Sequence, residues 1–251
     1  MQELLSRLIE SDRSIRNCSL SVEKADGSFS WSGAAGVTQD GQMPMTKDTP
    51  IYIASVTKLY TATVIMRLYE MGSLSLGDPM TKFLPENLIG GIHVFKGTDY
   101  TGQISVEQLL SHTSGIPDYY SEKAKDGKSL FELSVENPDR IWTADETIER
   151  ARKEMTPNFP PGTNASYSDT NYQLLGKIIE VITGKPLEAA YQDVIFAPLG
   201  LHHTWLVGHL EGQPAQVGMP ADVFYKGANI TKVRANAHIG LTGVWSPRRR
   251  K

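Results

Sequence analysis

The stretch from Val56 to Met71 is apolar on most of its sides, with Leu59, Ala62, Val64, Ile65, Leu68 and Met71 spread around a helical wheel. It runs into Gly72, the residue type that most readily closes a helix in the left-handed conformation. A helix apolar all round has to be wrapped by other elements, so the pattern predicts a buried central helix. Its β-branched residues lower helix propensity, which leaves burial to hold it. A chain of 251 residues, 40% of them hydrophobic, can supply the wrapping as one large domain or two packed lobes. Cys18 is the single cysteine, so an internal disulfide, a thiolate metal cluster and a two-cysteine redox motif are all excluded.

Around this helix the elements follow local signals. Leu4, Leu5, Leu8 and Ile9 give the segment Glu3 to Ile9 one apolar helical face. Cys18 to Val22 and Phe29 to Trp31 flank Asp26-Gly27 and predict a β-hairpin, followed by a loop from Gly41 to Pro50. Ser105 with Gln108, and Thr143 with Glu146, are capping boxes that start helices in the middle of the chain. Glu146 to Arg150 and Glu149 to Lys153 predict i,i+4 pairs on a solvent face. A further helix is predicted from Asn171 to Thr183, with Leu174, Leu175, Ile178 and Ile182 on one side and Gly184 at its end. Strand signal returns only weakly after Ala215.

The charges, 25 Lys plus Arg against 28 Asp plus Glu, hide an asymmetry. The last four residues, Arg248 to Lys251, are all basic, and without them the balance is 21 against 28, or -7. An acidic body argues against nucleic-acid binding, and the basic tail reads as a solvated end. No run of 18 apolar residues and no leader-like segment is present, so a membrane span is not expected. The default compartment is the cytoplasm, or the periplasm for a chain whose leader has been removed.

The chemistry-bearing pattern is S-x-x-K; G-x-S-x-G, H-E-x-x-H, P-loop and dinucleotide fingerprints are missing. It occurs at Ser21 to Lys24 and at Ser55 to Lys58. Positions i and i+3 share a face on a helix but not on a strand, so the copy on the hairpin strand is a decoy. Ser55 stands where the central helix begins, at the positive end of its dipole, with Lys58 one turn on and placed to take its proton. Taken alone, the four residues more often mean an N-cap serine beside a surface lysine.

Their surroundings change that weighting. Ile53-Ala54-Ser55-Val56-Thr57-Lys58, followed by Gly72-Ser73-Leu74-Ser75-Leu76-Gly77-Asp78-Pro79, closely resembles the serine β-lactamase and penicillin-binding protein superfamily. Leu109 to Pro117, Pro160-Pro161-Gly162 leading to Tyr167-Ser168-Asp169, Asn171 to Gly176 and Pro198 to Leu201 continue the resemblance, which runs from Ser28 to Gly243. Class C β-lactamases, their esterase relatives and D-amino-acid peptidases are the branches it is most similar to. The resemblance implies a two-lobed α/β (α+β) protein, with an antiparallel sheet flanked by helices plus a mainly helical lobe. Residues 1–55 with 215–251 would form the sheet lobe and 56–214 the helical lobe. Ser55 becomes the acylated nucleophile, Lys58 its proton acceptor or electrostatic partner, and Tyr167 the second base; no metal or other cofactor is called for. The implied partner is a small ester or lactam substrate.

Two departures stand out. Asp169 occupies the position where the family commonly has Asn; it either orients Lys58 or caps the following helix, and its charge favours simple esters over anionic substrates. The family's later strands and its K-T-G or H-x-G motif have no convincing match, since His238-Ile239-Gly240 comes too early. A chain so shortened would lack a mid-sheet strand and one oxyanion-hole donor, which invites oligomerisation or strand exchange and lowers activity. His112 reads as a structural histidine in a helix-ending turn. The expected function is a serine hydrolase acting on small esters or related acyl donors. The alternatives are an impaired truncated homologue or binding protein, and, among enzymes, a β-lactamase or D-amino-acid peptidase.

Overall fold

The computed structural model describes residues 1–38, 43–206, 220–236 and 243–245. Helix α1 (Gln2–Ser11) buries Leu5 and lies against β2. Strands β1 (Asn17–Glu23) and β2 (Ser30–Thr38) form the expected hairpin, in register from Asn17 opposite Gly36 to Glu23 opposite Ser30. The stretch expected to be loop holds a short strand, β3 (Met43–Pro44), paired with the end of β2.

Strand β4 (Ile51–Tyr52) passes through a 3-10 turn (Ala54–Val56) into α2 (Thr57–Glu70), and Gly72 follows at φ 71°. The helix is not wrapped on all sides. Thr57, Lys58, Thr61, Val64, Ile65 and Leu68 are buried, whereas Leu59 and Met71 are 64% and 63% exposed. Hydrophobic periodicity reports composition around the wheel; which side is covered depends on neighbours, and α2 packs against helices α7 and α8 with one face.

The mainly helical part of the chain continues through α3 (Glu86–Ile89), the hairpin β5 (Val94–Phe95) and β6 (Thr98–Asp99), then α4 (Val106–Leu110), α5 (Leu130–Glu136) and α6 (Ala144–Glu154). It is completed by α7 (Asp169–Thr183) and α8 (Leu187–Tyr191). Both expected capping boxes form, and Ser129 with Glu132 makes a third at the start of α5. Glu149 pairs with Lys153 as expected, but Arg150 does not pair with Glu146. Its guanidinium is buried and bonds Glu154, Asp126 and the Lys128 carbonyl, because that side of α6 faces the loop before α5 rather than solvent. Val64, Ile65, Leu109, Ile148, Leu174 and Ile178 centre the main core, and the Thr61 and Tyr191 hydroxyls bond at 2.6 Å between α2 and α8.

Strand β7 (Thr204–Leu206) lies inside the stretch expected to be mainly helical. Beyond it come the hairpin β8 (Phe224–Tyr225) and β9 (Ala228–Asn229), then α9 (Thr231–Asn236) and β10 (Gly243–Trp245). Strand β10 runs antiparallel between β4 and β7, so this segment itself occupies a mid-sheet position. Among the described residues the strands thus divide into two three-stranded sheets and two hairpins. His238-Ile239-Gly240 lies outside the described residues. No helix among the described residues is long and apolar enough to cross a membrane.

One junction ties the loop after α4 to the segment that leads into α7. Gly115 sits at φ 77°, and a Cβ there would come within 2.0 Å of the Phe159 carbonyl oxygen and 2.8 Å of His93 Nε2. Its own carbonyl accepts the Asn158 N–H at 2.9 Å. The His93 Nε2–H donates to the Phe159 carbonyl at 3.0 Å, while Nδ1 has no partner among the described residues. Burial holds the His93 pKa below the usual histidine value.

Gly115→Ala should therefore cost more than about 2 kcal/mol in chemical denaturation, from the clash and from the left-handed backbone together. Because the folded protein resists protonating His93, stability is full above the unfolded-chain value of about 6.5 and is lost as pH falls through the folded one. The melting temperature should decline on acidification through that range, and His93→Gln, which keeps a donor at the Nε2 position, should flatten the decline.

Candidate active site

The approach to Ser55 is strained. Ala54 has φ 45°, a left-handed conformation that costs a residue with a Cβ about 1–2 kcal/mol. The Val56 N–H bonds back to the Ile53 carbonyl at 3.0 Å, whereas no described residue takes the Ser55 N–H. The turn thus presents the Ser55 hydroxyl and an unengaged amide together at the mouth of α2.

Two side chains converge on that hydroxyl. The Tyr167 hydroxyl donates to Ser55 Oγ at 2.9 Å, and Lys58 Nζ donates to it at 3.4 Å. Lys58 has a shorter bond, 2.5 Å to Asp169 Oδ1, and both members of this ion pair are almost fully buried, at 9% and 8% side-chain exposure. Lys58 Nζ also lies 4.6 Å from the Tyr167 ring centroid and 5.4 Å from that of Tyr172, so aromatic faces complete its surroundings. Ser55 is exposed and Tyr167 half exposed. The site has two levels: a buried charge pair below, and two hydroxyls open to solvent above.

Backbone lacing fixes the entrance to α7, which carries Tyr167 and Asp169. Asp118 Oδ1 accepts the Asp169 N–H at 3.0 Å and the Tyr120 N–H at 3.2 Å; its other oxygen takes the Ser121 amide and hydroxyl. Burial, reinforced by the Asp169 charge, pushes the Asp118 carboxyl above the usual carboxylate range, against the pull of these bonds. The Ser168 and Thr170 hydroxyls both donate to the Pro117 carbonyl, at 3.0 and 2.6 Å. Asn171, fully buried, accepts from the Ser114 hydroxyl at 2.7 Å.

The structure thus brings together Ser55, Lys58, Tyr167 and Asp169, although they come from two segments far apart in sequence. Of the two readings left open for Asp169, the observed bond is the one to Lys58; the N-cap of α7 is Ser168, with no side-chain cap bond. Ser21 is on β1, with its hydroxyl bonded to Ser32, away from this cluster. No sequence pattern marks Asp118 or His112 as a site residue. Asp118 follows the Ser114-Gly115-Ile116-Pro117 run as an ordinary turn residue, and nothing local marks it as a partner of the Asp169 amide.

A serine at a helix mouth, bonded by lysine and tyrosine, places the chain in the superfamily that spans β-lactamases, penicillin-binding proteins, esterases and amidases. The sequence model of the β-lactamase family matches residues 25–246, and the chain belongs to that family. It is 31% identical to penicillin-binding protein 4 of Amycolatopsis lactamdurans over 68% of this chain and 40% of that protein. It is likewise 31% identical to esterase EstB of Burkholderia gladioli, over 70% of this chain and 43% of the esterase. Among solved structures, the D-stereospecific amidohydrolase from Streptomyces superposes with a TM-score of 0.75 at 27% identity, covering 98% of this chain and 68% of that one. The chain spans about two fifths of the length of these curated relatives.

Breaking one half of a buried ion pair leaves an uncompensated charge. Asp169→Leu should lower unfolding free energy by about 3 kcal/mol or more at neutral pH. Asp169→Asn, which keeps an oxygen acceptor facing Lys58, should cost clearly less; equal losses in urea denaturation would show that the pair is not what holds α2 to α7.

Proposed function

We propose that the protein is a serine hydrolase that forms an acyl-enzyme on Ser55 with small neutral esters or related acyl donors. The observation that carries this reading is the pair of bonds to Ser55 Oγ, from Tyr167 at 2.9 Å and Lys58 at 3.4 Å, beside a Ser55 N–H with no acceptor among the described residues. In this scheme the Tyr167 hydroxyl relays protons, taking one on its oxygen as it gives up its own. Ser55 Oγ attacks the acyl carbonyl, its proton passes to the Tyr167 oxygen, and the carbonyl oxygen gathers charge against the Ser55 N–H and the positive end of α2. Tyr167 hands the proton to the leaving alcohol as the ester C–O bond breaks. Water then attacks the acyl-enzyme, giving its proton to Tyr167, and that proton returns to Ser55 Oγ as the acid departs.

Lys58 serves in this scheme as a fixed positive charge rather than as the base. Its nearer partner is Asp169, and its ammonium faces the Tyr167 ring. The same pairing bears on substrate class. Among the described residues Lys58 is the one cation in this cluster, and Asp169 already engages it, which leaves no unpaired positive charge for a substrate carboxylate. That favours neutral esters over β-lactams and carboxylate-bearing D-peptides, and the esterase among the relatives supports the same choice.

Incubation with a fluorophosphonate probe should add one adduct mass to the protein and none to Ser55→Ala. Tyr167→Phe should slow p-nitrophenyl ester turnover by about a hundredfold or more, the usual worth of a positioned proton acceptor. An adduct that persists in Ser55→Ala would overturn the assignment, and faster turnover of a β-lactam than of the ester would overturn the substrate class.

A further inference from the structure

His112 follows α4 in a left-handed conformation, φ 58°, which is uncommon for a residue with a Cβ and is adopted where surroundings enforce it. Its contacts account for that placement. The His112 carbonyl accepts the Ser166 N–H at 3.0 Å, and its ring Nδ1 accepts the Ser168 N–H at 3.1 Å. Tyr167 lies between those two amides. The imidazole also lies against the Tyr167 ring at 4.6 Å between centroids and 32° between planes, with Tyr172 on it at 5.2 Å.

We propose that His112 is the positioning residue for Tyr167: it clamps the amides on either side of the tyrosine and backs its ring, so that the hydroxyl is aimed at Ser55 Oγ. The inference rests on the reading of Tyr167 as the proton acceptor in the proposed hydrolysis. The clamp requires one tautomer. Nδ1 faces two N–H donors, the Ser168 amide and the Asn171 side chain at 3.3 Å, so its lone pair must be free and the ring proton must sit on Nε2. Asn171 is fixed in the donating orientation because its oxygen already accepts from the Ser114 hydroxyl. The charged and titratable groups facing the imidazole are Lys58, Asp169, Tyr167 and Tyr172. Burial and the Lys58 charge lower the His112 pKa, against the opposing pull of Asp169, which agrees with a neutral ring.

A small misplacement of a catalytic group can cost on the order of a hundredfold in rate without touching the chemistry. His112→Leu removes the ring acceptor and should lower kcat for a p-nitrophenyl ester by about tenfold to a hundredfold with KM nearly unchanged. His112→Asn offers an oxygen near the Nδ1 position and tolerates the left-handed backbone, so it should restore most of the lost kcat. In nitrogen-15 spectra of the wild-type protein at neutral pH, the His112 Nδ1 should resonate as the unprotonated nitrogen. Turnover in His112→Leu equal to wild type, an asparagine variant as slow as the leucine variant at equal melting temperature, or a protonated Nδ1 would each overturn the proposal. If His112→Leu fails to fold, the nitrogen spectrum decides. Wild-type turnover that survives Ser55→Ala would count against the hydrolase reading instead, leaving the His112 tautomer to be judged from the spectrum alone.

Discussion

The buried ion pair between Lys58 and Asp169 sets the relation between the two helices on which the site is built. Lys58 lies in the first turn of α2 and Asp169 opens α7, so their 2.5 Å contact fixes one helix mouth against the other. Ser55 stands one turn before the lysine and Tyr167 two residues before the aspartate. The 2.9 Å bond between their hydroxyls is a consequence of that pairing as much as of any direct attraction. Burying two charges is expensive, and attraction between them offsets the cost only when their other donors and acceptors are also engaged. Here the lysine has Ser55 Oγ and two aromatic faces as further neighbours, and the Asp169 amide is held by Asp118.

Strain is concentrated at the same place. Ala54, immediately before the serine, and His112, against the tyrosine, are two of the four non-glycine residues with positive φ among those described. Such conformations persist only where the surroundings over-determine them. On one side the over-determination comes from the junction of β4 with α2, and on the other from the bonds that lace residues 112–118 to 158–170. Both strained residues hold backbone polar groups in positions that a relaxed turn would not give: an amide at Ser55 with no acceptor among the described residues, and a carbonyl directed at Ser166.

What was legible in the sequence is what local chemistry determines. The capping boxes at Ser105 and Thr143, the glycine ends at Gly72 and Gly184, and the turn at Asp26-Gly27 depend on neighbours within a few residues, and all are present. Burial is set from outside the segment. Leu59 and Met71 continue an apolar pattern yet lie on the open side of α2, and Arg150 has a helical partner in Glu146 yet turns inward to Asp126. Strands β7 and β10 are three residues each and acquire their meaning only from pairing with each other and, for β10, with the distant β4, which no window of sequence reports. The site residues were legible through motif resemblance, whereas His112 and Asp118 act through backbone amides, and an amide acceptor has no residue signature of its own.

The aspartate at position 169 shows how one side chain divides labour among the others. A lysine with only the serine for company could serve as its base. Once a carboxylate bonds it at 2.5 Å while the serine lies at 3.4 Å, the ammonium is committed to the pair. In the proposed hydrolysis Lys58 then offers a positive charge against the Tyr167 ring rather than a base. In the proposed hydrolysis proton movement falls to Tyr167, the group nearest Ser55 Oγ and half exposed, and the fidelity of that movement falls to whatever holds the tyrosine still. The lysine is held by a carboxylate and the tyrosine by the backbone bonds of its flanking residues. The Ser55 and Tyr167 hydroxyls therefore need no further partners of their own, and in the proposed reaction both remain available to a substrate.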